Sequence, residues 1–87
     1  MKVELLVCAD SASCQRAERV WRELAANGDF ELEVIDLRTP AGEAIEARLQ
    51  LTAIPAVVID GNLAGVGVQS LEEARALILS IPARQRH

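Results

Sequence analysis

The stretch of sequence that says most about the fold is residues 52–61, which read TAIPAVVIDG. Within it, residues 54–59 form a continuous apolar run of the length and composition typical of a buried strand. Asp60-Gly61 follows, and residues 62–66 form a second, mostly apolar run. Asp-Gly between two such runs is a strong signal of a two-residue hairpin turn. The two runs are therefore predicted to be neighbouring antiparallel strands.

Strands and helices alternate along the rest of the chain. Residues 3–8 are apolar and favour a strand buried on both faces, whereas residues 30–37 alternate apolar and acidic side chains and favour a half-buried strand. Residues 12–26 repeat apolar side chains every three or four positions, which predicts a helix. Two shorter helices are predicted to follow Thr39 and Ser70, because both residues are common helix caps.

The predicted order of elements is strand, helix, strand, helix, strand, strand, helix. This order indicates an α/β fold with a four-stranded mixed sheet flanked by three helices. The chain has 87 residues, of which 51% are hydrophobic, enough for one core but too few for two. A single domain is predicted over residues 1–82, followed by a flexible C-terminal tail at 83–87.

Composition and charge argue against several classes of function. A net charge of −4 and an aromatic content of 2% disfavour a nucleic-acid partner, which needs clustered basic residues and stacking side chains. No apolar stretch approaches the roughly 18 residues needed to span a bilayer, so we expect a cytoplasmic protein without a membrane partner. The two cysteines are too few for a disulfide scaffold, and His87 is the single histidine. We therefore expect neither a metal site nor a cofactor.

The element order and the Ile54-Pro55 step at the start of the third strand resemble the thioredoxin and glutaredoxin family. The resemblance covers nearly the whole chain, and residues 52–61 are its most specific part. In that family a cis-proline at this position faces the active-site loop, so the Ile54-Pro55 peptide bond is expected to be cis. The resemblance also implies that Ile54, Pro55 and Gly65 border a substrate-binding groove.

The family's C-x-x-C motif at the start of the first helix is incomplete in this chain. With Cys14 at the family's second cysteine, the tetrad reads Ser11-Ala12-Ser13-Cys14, and a serine occupies the position of the attacking thiol. A serine hydroxyl cannot replace a thiolate in disulfide exchange. Ser11 and Ser13 are candidates for capping the helix, or for helping its free N–H groups bind an anion such as a carboxylate of glutathione.

The other cysteine, Cys8, ends the first strand, six positions before Cys14. The two can form a disulfide only if the loop between them brings their Cα atoms within about 4.4–6.8 Å. The resemblance implies that this loop is compact. Three interpretations remain open. Both cysteines form a redox couple for thiol–disulfide exchange, with Cys8 attacking; Cys14 acts alone as a monothiol; or both are structural in a redox-inactive binding module. We favour the first, whose partner would be a protein or a small thiol or disulfide, glutathione included.

Overall fold

Four strands and three helices make up the part of the chain that the computed structural model describes, which is residues 1–8, 10–28 and 30–80. The strands are β1 (Lys2–Val7), β2 (Glu31–Asp36), β3 (Ala56–Ile59) and β4 (Asn62–Val66), and the helices are α1 (Ala12–Ala26), α2 (Pro40–Leu49) and α3 (Leu71–Leu79). The order of elements is the one that the sequence predicts. The predicted domain end at residue 82 and the predicted tail at 83–87 lie outside the described residues.

The four strands form one mixed sheet in the order β2-β1-β3-β4. β1 pairs with β2 in parallel, whereas β1 with β3 and β3 with β4 are antiparallel. The predicted α/β fold with a four-stranded mixed sheet and three helices is therefore confirmed. Because β1 and β2 are parallel, their carboxyl ends lie side by side at one edge of the sheet, beside the start of α1.

The turn between β3 and β4 has the geometry that Asp-Gly favours. Asp60 and Gly61 both have positive φ, 49° and 86°, as a two-residue hairpin of this kind requires. Further along, Val57 pairs with Gly65 while Val58 pairs with Leu63, so one extra residue forms a bulge in β4.

Both faces of the sheet are covered. On one face, side chains of β1 and β3 pack against α1 and α3; the buried members of this cluster are Val3, Leu5, Val7, Cys14, Ala17, Trp21, Leu24, Val57, Ile59 and Ala74. On the other face, Leu6, Ala56 and Val58 pack against Ile45 and Leu49 of α2, with Leu37 and Leu51 alongside. The indole Nε1 of the fully buried Trp21 donates a hydrogen bond to Gln69 Oε1 at 3.3 Å. Within the described residues, no helix is long and apolar enough to cross a membrane.

The start of α2 is fixed to the end of β2. Thr39 caps the helix by accepting a hydrogen bond from Gly42 N at 3.1 Å, and its hydroxyl donates to the carbonyl oxygen of Asp36 at 2.7 Å. Pro40 occupies the first helical turn, where its missing N–H costs nothing. The residues that follow β2 are therefore held at the edge of the sheet where β1 also ends.

Candidate functional site

Cys8 and Cys14 meet at the junction of β1 and α1. Cys8 directly follows the last residue of β1, and Cys14 lies in the first turn of α1. Ser11 N donates to Cys8 O at 3.1 Å, which closes a tight turn between the two elements. The backbone N–H of Cys8 donates to Cys14 Sγ at 3.1 Å. The loop thus folds back so that the sulfur of one cysteine contacts the backbone of the other.

The contact between the Cys8 backbone and Cys14 Sγ sets an upper limit on the distance between the two sulfur atoms. A cysteine sulfur is three bonds from its own amide nitrogen, so the contact between Cys8 N and Cys14 Sγ places the sulfurs no more than roughly 7 Å apart. Both side chains are free thiols. A disulfide between them would require a change of conformation that brings the two sulfurs to about 2 Å.

The environments of the two thiols differ. Cys14 is 2% exposed and belongs to the core cluster between the sheet and α1. Cys8 is half-buried and packs against the edge of that cluster. Cys8 is therefore the more accessible of the two residues.

The two serines of the tetrad have different roles in the structure. Ser11 is the N-cap of α1: its hydroxyl accepts from Cys14 N at 3.4 Å, and its carbonyl accepts from Gln15 N at 3.1 Å. Ser13 lies within the first turn, where its hydroxyl accepts a long hydrogen bond from Arg16 Nη2 at 3.5 Å. Ser11 therefore fixes the backbone that carries Cys14, and anion binding by Ser11 and Ser13 stays a prediction.

Arg38 lies at the same site, although no local pattern in the sequence predicts it there. Leu37 N donates to Val7 O at 2.8 Å, which continues the pairing of the parallel strands beyond Val7 and Asp36 and brings Arg38 to the end of the sheet where Cys8 follows β1. Its guanidinium Nη1 lies 3.4 Å from the carboxylate of Asp10, which is two residues beyond Cys8. Sheet topology is the argument that could have identified Arg38. Neighbouring parallel strands end at the same edge of a sheet, so the residue that follows β2 lies near the residue that follows β1.

The pKa of Arg38 is raised above its ordinary value, and the causes identify its neighbours. The largest cause is the hydrogen bonding of the guanidinium to the Asp36 side chain, followed by attraction to the charge of Asp36. Attraction to Asp10 and then to Cys8 adds to the same shift. The guanidinium therefore lies between the carboxylates of Asp36 and Asp10.

The segment around Pro55 lies beside the same core cluster. The Ile54–Pro55 peptide bond is cis, Pro55 is buried, and Ile54 packs against the cluster that contains Cys14. Gly65 is paired with Val57, and a Cβ atom placed at Gly65 would lie 3.3 Å from the side chain of Gln69 and 3.6 Å from that of Leu77.

The glycine that contacts Pro55 is Gly67, whose N–H donates to Pro55 O at 2.7 Å. The roles of Ile54, Pro55 and Gly65 in binding a substrate stay predictions. Over the described ranges 1–8, 10–28 and 30–80, no group of three or more His, Cys, Asp or Glu side chains could hold a metal ion.

Two solved structures are similar to the chain over nearly its whole length. Thioredoxin 1 of the thermophilic eubacterium Thermosipho africanus TCF52B superimposes with a TM-score of 0.72 at 21% identity, covering 92% of each chain. Reduced glutaredoxin of Escherichia coli superimposes with a TM-score of 0.64 at 16% identity, covering 92% of this chain and 95% of that one. At these identities the similarity establishes the fold.

Comparison of sequences gives one family. No curated protein sequence matches the chain. The sequence profile described as thioredoxin domain matches residues 1–79. The match spans all seven strands and helices of the described structure, and the chain therefore belongs to the thioredoxin-domain family.

Proposed function

We propose that the protein carries out thiol–disulfide exchange, with Cys8 as the attacking sulfur and Cys14 as the resolving sulfur. The observation that carries this proposal is the contact of 3.1 Å between the Cys8 N–H and Cys14 Sγ. This contact brings the two cysteines of a C-x5-C pair together at the junction of β1 and α1. Ser11 occupies the position where the family has its attacking thiol, so Cys8 takes that role in the proposal. The partner is a protein or a small molecule that contains a disulfide or a thiol.

The exposure of the two side chains supports these roles. Cys8 is half-buried, so an external disulfide can reach it, whereas Cys14 is 2% exposed. A buried sulfur is a poor first nucleophile but is well placed to attack a neighbouring mixed disulfide. The N–H donated to Cys14 Sγ also stabilises negative charge as it develops on that sulfur. This burial weakens the interpretation in which Cys14 acts alone as a monothiol.

The proposed reaction has two displacement steps. The thiolate of Cys8 attacks one sulfur of the substrate disulfide; that S–S bond breaks, and the other substrate sulfur leaves as a thiolate that takes a proton from water. Cys14 then gives its proton to solvent and attacks the Cys8 sulfur, which releases the second substrate thiolate. The protein dithiol is oxidised by two electrons, and the substrate disulfide is reduced. The reverse steps with an external thiol restore the dithiol.

A reaction with dithiobis(nitrobenzoate), a small aromatic disulfide, tests these roles. For each reduced wild-type protein we expect two released thionitrobenzoate anions and a product whose mass shows a Cys8–Cys14 disulfide without an attached nitrobenzoate group. The Cys14→Ser variant should release one anion and keep one attached group, because no resolving sulfur remains. The Cys8→Ser variant, with its one thiol buried, should react slowly. A wild-type product with a nitrobenzoate group on each cysteine would overturn the proposal.

A redox-inactive binding module is the second candidate, and the burial of Cys14 favours it. Cysteine is among the residue types most often found in protein cores, and Cys14 packs within the larger of the two hydrophobic clusters of this protein. Under this alternative neither thiol of the folded protein reacts with the disulfide reagent, and both react once the protein is unfolded in denaturant. The same experiment therefore separates the two candidates.

A further inference from the structure

Gln69 joins the first helix to the end of the fourth strand. Over the described part of the chain it is the only buried residue with an amide or charged side chain, at 9% exposure. Its Oε1 accepts a hydrogen bond from Trp21 Nε1 at 3.3 Å, and its Nε2 donates to the carbonyl oxygen of Val66 at 3.3 Å. The two ends of one amide are therefore bonded to two different elements, α1 and β4.

Packing on both sides of the amide fixes this bridge. Trp21 is fully buried, and its ring meets that of Phe30 edge-on, with the ring centroids 6.4 Å apart. A Cβ atom at Gly65 would lie 3.3 Å from Gln69 Nε2, so the amide packs directly against β4. Leaving either end of a buried amide unpaired is costly, and the observed arrangement is therefore strongly preferred.

The strand end that Gln69 holds is also bonded to Pro55. Directly after Val66, the N–H of Gly67 donates to Pro55 O at 2.7 Å. Continued by one residue, the antiparallel register of β1 with β3 places Pro55 at the end of β1, which Cys8 follows. The contacts therefore run continuously from α1, through Gln69 and the end of β4, to the Pro55 segment.

Resting on the exchange reaction proposed above, we infer that Gln69 is a positioning residue for the substrate: by tying α1 to β4, its amide fixes the Pro55 segment relative to the helix that carries Cys14. Because Gln69 is buried, it acts on a substrate through the strand end and not by contact. A disulfide in a peptide long enough to lie along Pro55 should depend on this position. A small disulfide that meets only Cys8 should not.

Two mixed disulfides with the same leaving group test this inference. One joins thionitrobenzoate to 2-mercaptoethanol, and the other joins it to the central cysteine of an eight-residue peptide. All proteins carry Cys14→Ser, so that Cys8 is the only thiol. Its thiolate attacks the mercaptoethanol or peptide sulfur, the S–S bond breaks, thionitrobenzoate leaves as the anion, and the proton of Cys8 goes to water. The measured quantity is the second-order rate constant for the peptide divided by that for the small disulfide.

Gln69→Met keeps the length of the side chain and removes both hydrogen bonds. Its rate ratio should fall about fivefold below that of the parent, the effect of one net hydrogen bond on binding of the peptide. The rate with the small disulfide should stay unchanged. Trp21→Phe removes the donor at the other end of the bridge and should lower the ratio in the same direction.

Ser70→Ala is the matched control, because it removes the cap of α3 at the neighbouring position and leaves the bonds of Gln69 in place. It should lower stability without changing the rate ratio, as any merely structural change would. Equal ratios for Q69M and its parent would overturn the inference. If Q69M does not fold, W21F decides, and a ratio equal to that of the parent would overturn it.

Amide hydrogen exchange at Gly67 gives a second readout that needs no reaction of Cys8. In Q69M this amide should exchange faster than the loss of global stability accounts for, because the strand end opens locally; exchange that follows global stability alone would overturn the inference. A parent protein that releases no thionitrobenzoate would overturn the exchange reaction and this role together. Release by the parent with an unchanged ratio in Q69M would remove the role of Gln69 alone.

Discussion

The close contact between α2 and the end of β2 predicts that Gly42→Ala destabilises the protein. A Cβ atom at Gly42 would lie 2.3 Å from the carbonyl oxygen of Asp36 and 2.7 Å from the Cα of Leu37. Both atoms belong to the backbone, so no side-chain rotation relieves the overlap. The helix and the strand end would have to separate by about 1 Å to restore an ordinary contact.

Two opposing effects decide the sign of this change. Alanine has a higher helix propensity than glycine, by at most about 1 kcal/mol. Overpacking of a close interface costs about 1–3 kcal/mol, and here it falls on rigid backbone, so we take the upper part of that range. The expected result is a net loss of about 2 kcal/mol in the free energy of unfolding. Because the contact includes Asp36, the displacement should also disturb the orientation of Arg38.

Urea unfolding followed by circular dichroism measures this effect. The midpoint should fall, and the dependence of the unfolding free energy on urea should stay unchanged. Ala44→Gly, at an exposed position of the same helix, is the matched control and should cost about 1 kcal/mol through propensity alone. A Gly42→Ala protein as stable as the wild type, or more stable, would refute the reasoning.

Three further predictions concern stability. Gln69→Leu should cost about 1–3 kcal/mol in urea unfolding, because the buried Trp21 N–H loses its acceptor; an unchanged midpoint would contradict this. Ser70→Ala should cost about 1 kcal/mol by removing the cap of α3, and Ser70→Thr should retain most of that stability. The pKa of Lys2 is raised above 10.5, chiefly by its hydrogen bond to Glu33, so its small contribution to stability is present below pH 10.5 and is lost as pH rises through the raised value. A stability difference between wild type and Lys2→Met that persists well above the raised pKa of Lys2 would contradict the stabilising role of its bond to Glu33.

The fold could be predicted from the sequence because its signals are local. The apolar stripe of residues 12–26 and the Asp60-Gly61 turn each specify an element without reference to the rest of the chain, and both agree with the structure. The apolar run predicts that the third strand begins at residue 54, whereas in the structure it begins at Ala56. Pro55 has no N–H to donate to a ladder, and regular pairing begins at the next residue.

The site could be predicted only in part, because some of its residues are brought together by long-range pairing and not by a local sequence signal. Cys8 and Cys14 are separated by one short loop, so their positions in the sequence already suggested a common site. Arg38 reaches that site from a distant part of the sequence, through the parallel pairing of β1 with β2, which no local pattern encodes. The hydrogen bond from Gly67 N to Pro55 O is likewise not encoded by a local pattern, and substrate binding by Gly65 stays a prediction. The bulge in β4 changes the register there, and sequence spacing does not reveal it.

The most direct test of the central claim is a redox titration of the wild-type protein. The protein is equilibrated in buffers of increasing ratio of oxidised to reduced dithiothreitol, alkylated with iodoacetamide, and weighed. Proteins with two alkyl groups should convert in one two-electron transition to proteins with none, and reduction should reverse the change completely. Two thiols that remain free across the whole range, and that can be alkylated in unfolded samples throughout, would contradict the claim that Cys8 and Cys14 are a redox couple.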